Sequence, residues 1–268
     1  MAADPTNPPL LDGPVTDGWF AQTDCRHCGA AMTTPYCGQC GQKAAHRFVW
    51  RDIRKEGWDR LRLFELSFVR TLWRLLLTPG AVARDYVLGR RTTLTHPLKL
   101  LLALVTILVL LLAASQYFTH YTHVGRDAVV DRMAQRVMAY ANWSFSLGIV
   151  AIFAGAATVF RRRLGYNLVE IAILAIYCQS IILSIIMINL LPTLIWRSPD
   201  FILWHKAASQ YYIPIIKMVI VANAYRQFFL LDLKSDWLRL LSACLVFAVL
   251  NWALLRIYAF FILWLVSR

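Results

Sequence analysis

The feature that most constrains this chain is a series of apolar runs after residue 97, at residues 98–118, 142–160, 168–190, 210–230 and 240–266. A helix needs about 20 apolar residues to cross the hydrocarbon core of a bilayer. Lipid offers the backbone no hydrogen-bonding partner, so runs of this kind fold as helices that satisfy themselves internally. The resulting expectation is an all-α polytopic membrane protein with five spans. Four spans plus a re-entrant or interfacial segment is the alternative, because the run at 240–266 carries Asn251 and Arg256.

Charge placement agrees with that expectation. The formal net charge is +13, a surplus that a nucleic-acid binder could also show. Here the basic residues crowd at the edges of the runs: Arg90, Arg91 and Lys99 precede the first, and Arg161, Arg162 and Arg163 follow the second. Positions of that kind meet anionic headgroups and set topology, so membrane lipids are the expected partner and nucleic acid is not. Counting Lys and Arg near the ends of the runs places the amino terminus in the cytoplasm and the carboxyl terminus outside, in a multi-pass protein of a bacterial inner membrane.

The chain divides into a leader (1–20), a cysteine module (21–47), a connector (48–97) and the transmembrane domain (98–268). The leader is rich in Pro and Asp, lacks the basic start and apolar core of a signal peptide, and is expected to be disordered. In the connector, Leu61, Phe64, Phe68, Leu72 and Leu75 recur at helical spacing. They predict an amphipathic helix on the inner membrane surface, or alternatively a helix packed beneath the cysteine module. Thr78, Pro79 and Gly80 should stop or sharply turn it. A second surface helix is expected where Val130, Met133, Val137 and Tyr140 share a face.

The cysteines carry the most specific signal. Cys25-Arg-His-Cys28-Gly29 and Cys37-Gly-Gln-Cys40-Gly41 are two C-x-x-C pairs with a short stretch between them. Each pair puts two thiolates on one tight turn, and four sulfurs can converge tetrahedrally on one ion. So small a module buries no core of its own, so a metal must supply its folding energy. Zinc, Zn2+, fits the set best and a rubredoxin-type iron is the alternative. A four-thiolate sphere is closed and activates no water, which makes the site structural or sensory.

These residues, with Tyr36 and Gln42 around the second pair, Thr71-Leu72 ahead of Pro79-Gly80, and Tyr86-x-x-Gly89-x-Arg91 before Pro97, resemble the bacterial DUF3667 family. That resemblance implies a zinc ribbon ahead of a multi-span membrane domain, and no established reaction. Just before Pro97, where relatives are expected to carry an aromatic, this chain has Thr95 and His96. The five-span layout also resembles the Yip family of small membrane proteins.

Charges inside the runs each need a partner, water or a headgroup. Glu170 and Arg226 lie at matching depth near the inner ends of adjacent spans and are expected to pair. Tyr177, Ser180 and Ser184 continue one polar side of the third span, read as interhelical hydrogen bonding with a solute path as the alternative. Lys217 and Arg256 have no acid left. They either converge on an anionic headgroup or snorkel separately to the interface. No catalytic constellation is evident, so the expected function is a non-enzymatic membrane adaptor or scaffold whose zinc module docks a protein partner. The alternative is a lipid- or anion-handling protein using Lys217 and Arg256.

Overall fold

The computed structural model describes residues 11–21, 23–50, 66–114 and 144–267. Among these residues there are eight helices and no strand: α1 (Asp17–Phe20), α2 (Leu66–Leu77), α3 (Pro79–Val87), α4 (Pro97–Ala114), α5 (Ser144–Phe160), α6 (Leu168–Ile195), α7 (Pro199–Phe228) and α8 (Trp237–Ser267). The surface helix expected around residues 130–140 lies outside the described residues, as does the start of the amphipathic helix before residue 66.

Helix α6 is the axis of the bundle. It packs against α2, α3, α4, α5 and α7, while α8 packs on the outer side of α5 and α7. Two helices, Leu168–Ile195 and Trp237–Ile262, are long and apolar enough to cross a membrane; Pro97–Leu112 and Leu147–Phe160 are shorter apolar helices. The two long ones differ in surroundings. The apolar window of α6 is 83% buried, that of α8 only 17%, and α8 presents Leu241, Leu245, Val249, Trp252 and Phe260 outward.

One end of this bundle is closed by a layer of short elements and turns. Residues 78–80 end α2 at Leu77, as expected, and also begin a new helix, because Pro79 takes the first helical position, where its missing N–H costs nothing. All of α3 except Ala81 is buried. Its amino-terminal N–H groups, at Gly80 and Ala81, donate to Gln227 Oε1 of α7 at 3.0 and 3.4 Å. Its charged residues are also matched. Arg84 donates to Tyr166 Oη at 3.2 Å and to the Leu11 carbonyl, and Asp85 accepts from Arg74 of α2 at 2.7 Å. Arg163, read from sequence as a topology signal, grips Asp236 with both arms of its guanidinium at 2.8 and 3.0 Å and the Phe229 carbonyl at 3.0 Å. It thereby ties the α5–α6 turn to the α7–α8 turn.

Helix α2 turns its predicted apolar face inward. Phe68 and Leu75 are buried, and α2 lies on α3 and α6. Over the described part of this face, packing on protein therefore takes the place of the expected membrane contact; Leu61 and Phe64 lie outside the described residues. The opposite side exposes Val69, Trp73 and Leu77, so both sides of α2 are apolar and, among the described residues, only one is covered by protein.

His96 fills the position where an aromatic is expected, standing edge-on to Tyr86 with ring centroids 6.1 Å apart. Burial, with Lys99 and Arg91 nearby, pushes its imidazole down to about 4. Because the folded value lies below the unfolded one, the unfolded chain takes up the proton first as pH falls. The stability is fully present above pH ~6.5 and is lost as pH drops toward 4. We expect a loss of about 2–3 kcal/mol across that window, read as a falling thermal midpoint, and a flatter profile in His96→Phe. An unchanged pH profile in that variant would rule out His96 as the source.

Candidate metal centre

The two cysteine turns are built alike. Cys25 N–H donates to the Ala30 carbonyl and Gly29 N–H to the Cys25 carbonyl, both at 2.8 Å. In the second turn, Cys37 N–H donates to the Gln42 carbonyl at 2.8 Å and Gly41 N–H to the Cys37 carbonyl at 2.9 Å. Antiparallel bridges Asp24–Ala31 and Tyr36–Lys43 close the two turns. Gly29 and Gly41 take φ of 74° and 69°, the left-handed region where a side chain costs about 1–2 kcal/mol.

The turns interlock. Cys25 Sγ lies 3.5 Å from Cys40 Sγ, and Cys28 Sγ lies 3.6 Å from Cys37 Sγ. All four sulfurs fall within 4.8 Å of one another. A tetrahedron of ~2.3 Å metal–sulfur bonds has S···S edges of about 3.8 Å, so the set fits one ion. Backbone N–H groups of Cys40 and Gln39 aimed at Cys37 lower its thiol to about 6, whereas burial pushes Cys40 up to about 12. A cation binding here would complete the deprotonation of the set and release protons.

The centre sits against the bundle. Arg26, between the first two cysteines, stacks on Trp19 with its guanidinium carbon 3.9 Å from the ring centroid, and donates to the Trp19 carbonyl. Trp19 Nε1 in turn donates to the Leu88 carbonyl at 3.2 Å. Gln42 donates to the Gly89 carbonyl and accepts from Arg91 N–H at 3.4 Å. Arg91 lies over Phe48 at 3.9 Å, and Phe48 stacks on Tyr86 at 5.6 Å. Residues 11–20, expected to be disordered, belong to this layer: Val15 is buried and its N–H donates to the Leu164 carbonyl at 2.8 Å.

The structure therefore brings Cys25, Cys28, Cys37 and Cys40 together, and places the other expected site residues differently. Glu170 does not meet Arg226, which is exposed on α7. Its carboxylate closes a capping box at the start of α6, accepting from Asn167 N–H at 2.8 Å, and lies 3.4 Å from Arg47 Nε. Depth counting puts Glu170 at the right level, but the Asn167-x-x-Glu170 capping pattern is the stronger signal. Ser180 and Ser184 donate to carbonyls four residues back on α6 itself, so they are satisfied within the helix; Tyr177 does cross, donating to the Thr95 carbonyl at 2.6 Å. Lys217 lines a cavity inside the bundle, whereas Arg256 is exposed with its guanidinium carbon 5.6 Å from the Trp252 ring centroid. Cys178 and Cys244 are buried, as expected of small apolar side chains.

No curated protein and no solved structure matches the chain. A family profile does match residues 65–109, the segment that holds α2, α3 and most of α4 and leaves the cysteines outside. Over that segment the chain is similar to the family described as a protein of unknown function, DUF3667.

Proposed function

We propose that this protein is a non-enzymatic integral membrane scaffold whose zinc-loaded four-cysteine knuckle staples its amino-terminal segment to the cytosolic end of a five-span bundle and offers a docking surface there. The observation that carries this reading is the seating of the four-thiol centre on the bundle through Arg26, Gln42 and Arg91. A closed sulfur sphere has no position left for substrate or water, and a site so anchored holds other residues in place. Zinc suits four thiolates held at tetrahedral spacing. The outward side of the knuckle, where Tyr36 and Lys43 are exposed, is the surface available to a protein partner. The membrane part of the reading draws on the outward apolar side chains of α8, which have no reason to face water, and on the short Arg161–Arg163 turn at the knuckle end, which suits the cytosolic side.

The second reading, handling of a lipid or an anionic solute, is favoured by the cavity that Lys217 lines. The two separate in one comparison. Co-purification from mild detergent is measured for wild type, for Tyr36→Ala/Lys43→Ala, and for Lys217→Gln/Arg256→Met. The scaffold reading expects a defined protein set that falls at least fivefold with the knuckle pair and holds with the membrane pair. Loss with the membrane pair alone would reverse the assignment.

A further inference from the structure

About halfway along the bundle, a part-open cavity of about 230 Å³ lies between α5, α6, α7 and α8. Gln179 from α6, Lys217 from α7 and Asn251 from α8 form its polar lining, with Gly148 from α5 beside them and Ile182 and Phe247 as apolar wall. Each of the first four lies eleven to fourteen residues from the knuckle-side end of its helix. At a rise of ~1.5 Å per residue they meet about 17–21 Å from that end, so positions widely separated in sequence converge on one level.

The five long helices contain two acidic residues, Glu170 and Asp200, both in first turns and far from this level. With no carboxylate lining the cavity among the described residues, a cation at such depth calls for another anion or for water. Two carboxamides flank it, and each can turn N–H donors toward a bound oxyanion. The room for one of them depends on Gly148, where a Cβ would fall on Gln179 Oε1 and 3.0 Å from its Cδ. Because Arg256 is not part of the lining, the cavity carries one positive charge, and a singly charged ligand balances it where a dianion would not.

We propose that this cavity binds one singly charged oxyanion, a phosphodiester or a carboxylate, held by the Lys217 ammonium and oriented by Gln179 and Asn251. At about 30 Å³ per water molecule, its volume suits a headgroup or a small solute with some water. The inference rests on the membrane reading of the helices and not on the metal centre.

The test uses the full chain, delipidated in detergent, with binding followed by native mass spectrometry and metal content read on the same samples. Phosphatidylglycerol and oleate probe the lipid source; dihydrogen phosphate and acetate probe the free anion. Lys217→Gln should weaken binding of whichever class is taken by at least tenfold and Gly148→Ala by at least threefold. Arg256→Gln should change it by less than twofold, and metal content should stay constant throughout. Binding of the lipids alone assigns a headgroup site, and equal binding of the small anions assigns a solute site. Affinity within twofold of wild type in Lys217→Gln for every probe, or no binding of any probe to wild type, would overturn the proposal. Should Lys217→Gln fail to fold, Gly148→Ala, which keeps the lysine, decides alone: unchanged affinity there overturns it equally. A chain that stays monodisperse without detergent would instead defeat the membrane reading.

Discussion

Gly80→Ala is expected to cost about 3 kcal/mol or more, because the added methyl has nowhere to go. A Cβ at residue 80 would fall on the Ala224 carbonyl oxygen and 2.7 Å from both Gln227 Cβ and the Phe228 nitrogen. Two of these three neighbours are backbone atoms of α7, and close-packed interiors yield little to such intrusion. To admit the methyl, α3 must back away from α7. That motion breaks the hydrogen bonds from Gly80 and Ala81 to Gln227 and strains the anchors of buried Arg84 and Asp85. The expected readout is a lowered thermal midpoint in detergent and faster proteolysis of the 78–97 segment. Gly38→Ala is the control, since nothing lies within 4 Å of its added Cβ, and it should change stability by less than ~0.5 kcal/mol. Equal stability of the two variants would mean that α3 does not press on α7 as described.

The second large effect should follow from removing the metal ligands. Zinc binding contributes about 10–16 kcal/mol to peptides of this type, and the interlocked cysteine turns have few buried apolar residues to replace it. Cys25→Ser with Cys40→Ser should therefore unfold the knuckle and free the residues it holds, from Trp19 to Phe48. Proteolysis and amide exchange in residues 11–50 should quicken by roughly a hundredfold or more, with α6 and α8 unaffected. Protection retained in the double variant would show that Arg26, Gln42 and Arg91 hold this segment without a metal.

Much of this architecture is legible as one-dimensional signal. The cysteine spacing finds the four-sulfur centre because each pair lies on a single local turn and only one further contact is needed. The apolar runs match α4, α5, α6 and α8 closely, since hydropathy reports the environment of a continuous segment. Helix α7 begins at Pro199, well before residue 210; the helix continues through His205, Lys206, Ser209 and Gln210, which a hydropathy window rejects. What a linear sequence conceals is direction around the helix axis. Depth can be counted along a chain, and Glu170 does lie in the first turn of α6, near one end of the bundle. Neighbours at that depth depend on helix rotation and crossing. Arg47, far away in sequence, therefore supplies the charge expected of Arg226, and Gln179 and Asn251 line the cavity where Arg256 is expected. Helix α3 is hidden for a different reason: Pro79-Gly80 reads as a stop, although Pro at the first helical position and Gly at a close approach serve a start equally well.

Elemental analysis of the full chain, purified reduced in detergent without chelator, tests most directly whether a metal held by Cys25, Cys28, Cys37 and Cys40 closes one end of a membrane bundle. About one zinc per chain is expected, with those four thiols resistant to alkylation and both properties lost in Cys25→Ser with Cys40→Ser. Metal-free protein whose four thiols are all freely alkylated would contradict it.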